Sequence, residues 1–232
     1  MDKRTLKAIM ASAITLLALA SCGRKAEVRP ATTIVKGEFP AGALCDTVMI
    51  GMNDGVDMDT VYTIPVFDEK FTFEIPTDVM KRAEVVVTYD EGMGNAFFIP
   101  EGDTVFVSLD TRNAAVKCVS SRNPSITNDY NRMISTLDSL KWSLFREFKA
   151  TEPAEGYTKE QNDSLDFIFT TKMNDTILEQ IHRMAPLHTG DFIGLSCIYN
   201  LMSMGLDKEA KSLFQTMDEN IRNREEFSKL KP

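Results

Sequence analysis

The chain has 232 residues, of which 43% are hydrophobic and 26% are charged, and its formal net charge is −8. This length is enough for one ordinary domain or two small ones, each with a buried core. An acidic protein repels phosphate backbones, and no basic stripe is interleaved with aromatic residues, so we do not expect nucleic acid as a partner.

The N-terminal residues 1–21 have the pattern of a bacterial lipoprotein signal peptide. Basic residues precede an apolar run, Ala8–Ala20, which is 13 residues long, whereas a membrane-spanning helix needs about 20. The run ends in Leu19-Ala20-Ser21-Cys22, in which small residues come directly before a cysteine. A plain secretory signal is the alternative, but it does not require a cysteine at this position. We therefore predict that Cys22 carries lipid and begins the mature chain.

Lipidation predicts that a membrane is one partner of the mature protein. Each buried methylene contributes about 0.8 kcal/mol, so two or three acyl chains hold a protein firmly at a bilayer. Residues 1–21 carry three basic residues and one acidic residue, and their removal takes the net charge from −8 to −10. Gly23, rather than aspartate, follows Cys22, and no acidic run follows either. We expect the periplasmic face of the outer membrane, with other envelope proteins as further partners.

After a polar tether at residues 22–31, residues 32–122 have the texture of a β-domain. Short β-branched runs alternate with turn residues, which favours an antiparallel β-sandwich or an open barrel over βαβ units. We predict a turn over Glu91-Gly92-Met93-Gly94 between two of the strands. The predicted strands are Thr32–Phe39, Asp46–Met52, Thr60–Phe67, Lys70–Ile75, Ala83–Tyr89, Ala96–Ile99, Thr104–Leu109 and Ala115–Val119.

Residues 123–232 change to helical periodicity, so the predicted fold class is α+β with a helical C-terminal part. Apolar residues at steps of three and four predict a long helix from Ile126 to Phe148. Thr158 and Gln161 have the spacing of a capping box that begins a second helix, and Pro186 ends it. We expect 191–204 and 207–227 to form a helical hairpin broken at Gly205.

The three cysteines that follow Cys22 are widely spaced and form no C-x-x-C pair. This spacing is that of neither a zinc ribbon nor a thioredoxin-type redox centre. Cys45 and Cys118 both fall in the strand-rich half, and the compartment permits a disulfide between them. The alternative is that Cys45, Cys118 and Cys197 are buried thiols that act as small hydrophobic residues.

Several segments resemble a known bacterial lipoprotein module. The segments are Thr33-Ile-Val-Lys-Gly37, Asp46-Thr-Val-Met-Ile50, Phe67-Asp-Glu-Lys-Phe-Thr-Phe73, Phe98-Ile-Pro-Glu-Gly-Asp-Thr-Val-Phe-Val107 and Asn128-Asp-Tyr130. They are similar to the module catalogued as domain of unknown function 4369. That module commonly precedes a thioredoxin-like domain in envelope thiol:disulfide interchange lipoproteins, with a helical segment between the two. The resemblance covers roughly residues 32–227, and its motifs are turn-and-strand patterns.

The resemblance implies the non-catalytic part of such a lipoprotein. The catalytic C-x-x-C pair of the thioredoxin-like domain is absent from this sequence, so no catalytic residue can be carried over. We predict a non-enzymatic, lipid-anchored interaction or scaffolding protein that needs no cofactor. The alternative is a regulatory or substrate-binding half of a thiol:disulfide oxidoreductase whose thioredoxin-like domain is missing or separately encoded.

Two further motifs bear on sites. Glu179 and His182 have the Glu-x-x-His spacing of a metal-binding helix, but di-iron bundles need two such motifs and the sequence has one, so we predict no metal site. The triplet of Asp, Ser or Thr, and an aliphatic residue occurs six times and resembles the acceptor of an O-glycosylation system in some Gram-negative gut anaerobes. Turns explain several of these triplets. The helical ones make Ser139, Ser164 and Thr176 predicted glycan acceptors.

Overall fold

The computed structural model describes residues 31–43, 45–54, 58–90, 92–113, 115–153 and 155–231. The described part has an N-terminal region of strands followed by helices, which confirms the α+β class. The strands are β1 (Thr32–Glu38), β2 (Thr47–Asn53), β3 (Met58–Pro65), β4 (Lys70–Pro76), β5 (Arg82–Tyr89), β6 (Gly92–Phe98), β7 (Thr104–Asp110) and β8 (Ala115–Ser120).

The strands form two four-stranded sheets that pack face to face. The strand orders are β4-β1-β7-β8 and β3-β2-β5-β6. Alternating residues of each strand point between the sheets and form one apolar core, as the sandwich prediction requires. Among the pairs of neighbouring strands, β1 and β7 are parallel, with Ile34 opposite Thr104, and the others are antiparallel. Strands β6 and β8 end their sheets on the same side of the sandwich.

The helical part begins with two long helices. Helix α1 spans Ile126–Thr151 and α2 spans Lys159–Met184, and the predicted capping box of Thr158 and Gln161 is present at the start of α2. A 3₁₀ turn at Ala185–Leu187, which contains Pro186, follows α2 directly. None of the helices in the described ranges combines the length and the apolar character that crossing a membrane requires.

Shorter helices complete the chain. They are α3 (Phe192–Ser203), α4 (Asp207–Gln215) and α5 (Glu219–Arg222), followed by a 3₁₀ segment at Glu225–Leu230. Gly205 lies between α3 and α4 with a φ of +73°, so the predicted break is confirmed. The predicted continuous helix over 207–227 is wrong. The chain leaves α4 so that Met217 is buried and the N–H of Asp218 donates to the carbonyl of Thr189.

The helices have their own apolar core, and the sandwich contributes to it. Ile99 is fully buried there among residues of α1, α2 and α3. Arg82 of β5 also joins the two parts: its guanidinium lies 4.4 Å from the ring centroid of Phe97 and donates to the hydroxyl of Tyr130 on α1. Cation–π contacts of this kind stabilise most where water is excluded. The helices are therefore packed against one end and one side of the sandwich.

One strand differs from its prediction in a way that affects the site. Strand β6 begins at Gly92, whereas the sequence predicted a turn from Glu91 to Gly94 and a strand only from Ala96. Gly92 pairs with Tyr89 and Gly94 pairs with Val87, so β6 is antiparallel to β5 from its first residue. Glycine disfavours strand structure by itself. Pairing with β5 overrides this local preference, and the result is a longer edge strand.

Candidate binding groove

A groove lies between α1 and the side of the sandwich where β6 and β8 end their sheets. Its volume is 760 Å³, within the range of roughly 300–1,000 Å³ typical of ligand pockets. The two strands contribute the floor and α1 contributes the wall. The larger polar, charged and aromatic side chains of its lining include Asn95, Phe97, Lys117, Asp138, Trp142 and Arg146.

The start of α1 is fixed by a buried carboxylate from the sandwich. Glu101 accepts hydrogen bonds from the Ser125 hydroxyl at 2.6 Å and from the N–H groups of Ile126 and Thr127 at 3.2 Å each. These backbone groups belong to the first turn of α1, where N–H groups lack helical partners and the helix dipole favours a negative charge. Thr127 in turn exchanges hydrogen bonds with the backbone of Ile99. The direction in which α1 leaves the sandwich is thus set by Glu101.

Two asparagines of α1 then bind the edge of β8. The N–H of Ser120 donates to Asn128 at 3.1 Å, and Asn131 donates to the carbonyl of Cys118 at 2.8 Å. Successive contacts therefore move along α1 toward its C-terminus and along β8 toward Ala115. With rises of about 1.5 Å per helical residue and about 3.3 Å per strand residue, α1 reaches the Ala115 end of β8 near Asp138.

The rest of α1 and the facing part of α2 extend beyond the sandwich, and we call residues 139–151 and 159–172 the helical arm. At about 1.5 Å per residue, the distance from Asp138 to Thr151 corresponds to about 20 Å. Leu144 is buried in the arm, and Lys172 of α2 lies 3.8 Å from Glu147 of α1. Helix α1 is antiparallel to β8, and β8 is antiparallel to β7, so β7 and its parallel neighbour β1 run in the same direction as α1. Thr32 is the first residue of β1, whereas the arm follows the start of α1, so the arm projects from the end of the sandwich opposite to Thr32.

Large apolar side chains lie exposed on the arm. Trp142 is 59% exposed, Phe145 is 46% exposed and Phe167 is 73% exposed. The ring centroids of Trp142 and Phe145 are 5.9 Å apart, and Phe145 lies 5.7 Å from Phe169. The rings form a row that begins at the groove, which Trp142 lines, and continues onto the arm. We call Trp142, Phe145 and Phe169 the aromatic row.

A buried histidine cluster joins α1 to α3 away from the groove. His188 Nδ1 lies 2.7 Å from Asp191, and His188 Nε2 lies 3.5 Å from Asp129 of α1. Burial lowers the pKa of His188, but the hydrogen bond and charge of Asp191 and the charge of Asp129 outweigh it, so the pKa is raised above the usual value of 6.5. Asp191 also caps α3 by accepting from the N–H of Ile193 at 2.9 Å. The cluster ties elements together.

The three cysteines of the described part are buried free thiols, which is the alternative to the predicted Cys45–Cys118 disulfide. Cys45 comes just before β2, which is two strands away from β6, the strand nearest β8 and Cys118. Two strand spacings are about 10 Å, beyond the reach of a disulfide. Burial raises the pKa of Cys118 and of Cys197 to about 12, so neither thiol ionises at neutral pH.

The other predicted site residues are dispersed. Cys22 lies outside the described residues. Ser139 is exposed and lines the groove, whereas Ser164 and Thr176 are on α2 with their hydroxyls donating to the carbonyls of Glu160 and Lys172. Their glycosylation stays a prediction.

The Glu-x-x-His motif, for which the sequence predicts no metal site, lies on α2. Glu179 and His182 are both exposed there. Within the described ranges, no group of three or more His, Cys, Asp or Glu side chains is arranged to hold a metal ion.

Sequence reasoning missed the residues that build the groove. Trp142 was not recognised, although it is the single tryptophan of the chain and falls off the apolar stripe of α1. Its position outside that stripe was a usable signal, because a large aromatic residue on the polar face of a helix is exposed. Glu101 and Asn131 gave no local signal, since their partners are 24 and 13 residues away.

Comparisons with known proteins give no family. No family model and no curated protein matches the chain. A candidate cell adhesion protein from Bacteroides ovatus is 9% identical, with a TM-score of 0.29 over 40% of this chain and 44% of that chain. The type VI secretion lipoprotein TssJ1 from Pseudomonas aeruginosa is 10% identical, with a TM-score of 0.28 over 41% of this chain and 100% of that chain. Likeness at this level carries no argument about function, and the relation to domain of unknown function 4369 stays a prediction.

Proposed function

We propose that the protein is a lipid-anchored component of the bacterial cell envelope that binds other proteins through its helical arm and performs no catalysis. The observation that carries this proposal is the exposure of Trp142, Phe145 and Phe167 on an arm that projects away from Thr32. Thr32 directly follows the predicted tether at residues 22–31. The anchored end and the aromatic end are therefore at opposite ends of the fold.

Exposed aromatic rings on a rigid helix pair are suited to protein binding. Tryptophan, tyrosine and arginine dominate the residues whose truncation weakens interfaces most, and Arg146 lines the groove together with Trp142. Leaving such rings in water is unfavourable, and contiguous exposed apolar surface typically marks an interaction site. The arm faces away from the anchored end, which favours a protein partner over the anchoring membrane.

The absence of catalysis is part of the proposal, and the placement of the reactive side chains supports it. His188 and Glu101 are buried and bonded to groups that hold helices in place. The buried Cys118 and Cys197 are protonated at neutral pH because burial raises their pKa to about 12. Of these four residues, Cys118 alone lines the groove, and its thiol is not ionised at neutral pH.

The anchor is tested by changing one residue. A Cys22→Ser variant is expected to lose metabolic labelling with fatty acid and to leave the membrane fraction, because this thiol is the predicted attachment point for the diacylglycerol. Separation of inner and outer membranes then tests the outer-membrane assignment. The proposal is contradicted if the variant stays in the membrane fraction and the parent protein takes up no fatty-acid label.

The arm is tested by comparing two variants in native envelopes. Trp142→Ala combined with Phe145→Ala is expected to abolish the chemical crosslinks that the parent protein forms. The matched control is Phe67→Ala, because Phe67 is 72% exposed and joins β3 to β4, the strands that end their sheets on the side opposite to β6 and β8. Identical crosslinking by the parent and both variants shows that the arm binds no protein.

A further inference from the structure

We propose that the free edge of β6 binds an extended segment of a partner polypeptide as an added β-strand, beneath Trp142. This inference rests on the proposed function as a protein-binding module and names the chemistry of the partner. It adds a second contact surface to the aromatic row, because the groove floor contains β6 and its wall contains Trp142.

The backbone of β6 presents unpaired groups to the groove side. Tyr89 of β5 is opposite Gly92 of β6, and two residues lie between them in the chain. A two-residue hairpin loop is closed by a hydrogen-bonded pair, so Tyr89 and Gly92 form such a pair. Along the two strands, hydrogen-bonded and non-hydrogen-bonded pairs then alternate. Gly92, Gly94 and Ala96 therefore bond to β5, while Met93 and Asn95 direct their N–H and C=O groups away from it. No described residue bonds these backbone groups, Asn95 is exposed and Met93 is 66% exposed.

The other sheet edges are protected against strand addition, whereas β6 is not. Charged residues, proline and capping side chains are the usual means of protection. Strand β4 has Lys70, Glu74 and Pro76, and β3 ends in Pro65. Asn128 and Asn131 occupy the N–H of Ser120 and the carbonyl of Cys118 at the edge of β8.

The sequence of β6, Gly-Met-Gly-Asn-Ala-Phe-Phe, contains neither a charged residue nor proline. Helix α1 packs on its far end, where Phe97 meets the ring of Tyr130 edge-on. The part of β6 nearest Gly92 therefore has an accessible, unprotected edge.

The geometry selects an extended polypeptide as the occupant. Groups that point outward from an edge repeat every second residue, at about 6.8 Å, and another extended backbone matches that repeat along its length. Alternate apolar side chains of such a segment would meet Phe97 and Trp142. Lys117 and Arg146 outnumber Asp138 among the charged residues of the groove, so a segment with an acidic residue is complementary in charge.

The probe for the experiment is a synthetic hexapeptide that alternates valine with threonine and contains one aspartate. It is titrated into the purified protein with Cys22 replaced by serine, and amide hydrogen exchange is measured residue by residue. We expect the N–H groups of Met93 and Asn95 to exchange at least tenfold more slowly in the complex. Fluorescence of Trp142, the single tryptophan, is expected to shift to shorter wavelength.

Two isomers of the probe, N-methylated at its odd or its even residues, test for backbone pairing. At least one isomer is expected to bind tenfold more weakly, because methylation removes the N–H groups that face β6. Affinity equal to that of the parent peptide for both isomers overturns the proposal. Unchanged exchange at Met93 and Asn95 at millimolar peptide overturns it as well.

A second copy of the chain is the competing occupant. Protection of Met93 and Asn95 that rises with protein concentration in the absence of peptide assigns the edge to self-association and overturns the proposal. An Asn95→Pro variant provides an independent check. Proline there removes an outward N–H but no ladder bond to β5, so we expect at least tenfold weaker peptide binding and unchanged sandwich circular dichroism.

The outcome is separable from that of the proposed function. Loss of crosslinks in the Trp142→Ala and Phe145→Ala variant, with crosslinks retained in Asn95→Pro, supports the arm as a binding surface whatever the peptide does. Failure of the peptide with an active arm removes only strand addition. If the parent and both variants crosslink equally but the peptide slows amide exchange at Met93 and Asn95, the groove remains as the binding surface and the arm does not.

Discussion

Ser125 donates a hydrogen bond of 2.6 Å to Glu101, and this contact joins the helical part of the protein to the sandwich. Glu101 is a buried carboxylate, and it is compensated by three donors at the start of α1. The position of the groove depends on this contact, because the groove wall is α1 itself. Disturbing Glu101 is therefore expected to affect both stability and peptide binding.

The first prediction concerns Glu101→Ala. Removal of the carboxylate leaves the Ser125 hydroxyl and two backbone N–H groups without their buried acceptor, and we expect unfolding free energy to fall by about 2–4 kcal/mol. Urea unfolding followed by circular dichroism measures the change. Glu160→Ala is the matched control, because Glu160 is exposed on α2. A loss equal to that of the control would show that Glu101 does not hold the helix.

The second prediction is a pH dependence of stability due to His188. Its pKa is raised above 6.5 in the folded protein by Asp191 and Asp129, despite burial. Its contribution to stability is therefore fully present below about pH 6.5 and is lost as pH rises through the folded pKa. The difference in unfolding free energy between the parent and His188→Gln is expected to be larger at about pH 5.5 than at about pH 8.5.

Urea titrations at these two pH values provide the measurement for His188. The exposed His182 on α2 supplies a control variant, His182→Gln, whose effect on stability is expected to be small. A difference for His188→Gln that grows toward high pH would contradict the expected direction. It would mean that burial, and not the two aspartates, controls the protonation of His188 in the folded protein.

The third prediction concerns close packing at Gly194 on α3. A Cβ atom placed on this residue would lie 1.9 Å from the carbonyl oxygen of His188, which is a rigid backbone atom. Gly194→Ala is expected to lower the free energy of unfolding by about 2 kcal/mol or more, because α3 must shift away from its neighbour. Ser196→Ala in the same helix is the control. Equal melting temperatures for the two variants would refute the contact.

The fourth prediction concerns thiol reactivity. Cys118 and Cys197 have pKa values of about 12 because they are buried, and the pKa of Cys45 is also raised by burial. With Cys22 replaced by serine, the folded protein is expected to react negligibly with a disulfide reagent at pH 8, and all three thiols are expected to react after denaturation. Rapid reaction of one thiol in the folded state would identify an accessible, ionised cysteine.

The strand and helix pattern could be predicted largely from local sequence, whereas the groove could not. The predicted strand Lys70–Ile75 is confirmed as β4, and the predicted capping box of Thr158 and Gln161 marks the start of α2. The start of β6 was missed, because Gly92 and Gly94 have turn-like local preferences that pairing with β5 overrides. Local propensity differs by about 1 kcal/mol between residues in strands, which tertiary pairing readily exceeds.

The sequence by itself determined the α+β order and the long helices, and it predicts the lipid attachment at Cys22. These features depend on periodicity and on motifs of a few adjacent residues, so they are visible without long-range contacts. The tertiary structure decided that β6 and β8 end on one side, that Glu101 and Asn131 fix α1 there, and that Trp142 lies over the groove. These relations join residues far apart in the chain, and only the packing of the two apolar cores brings them together.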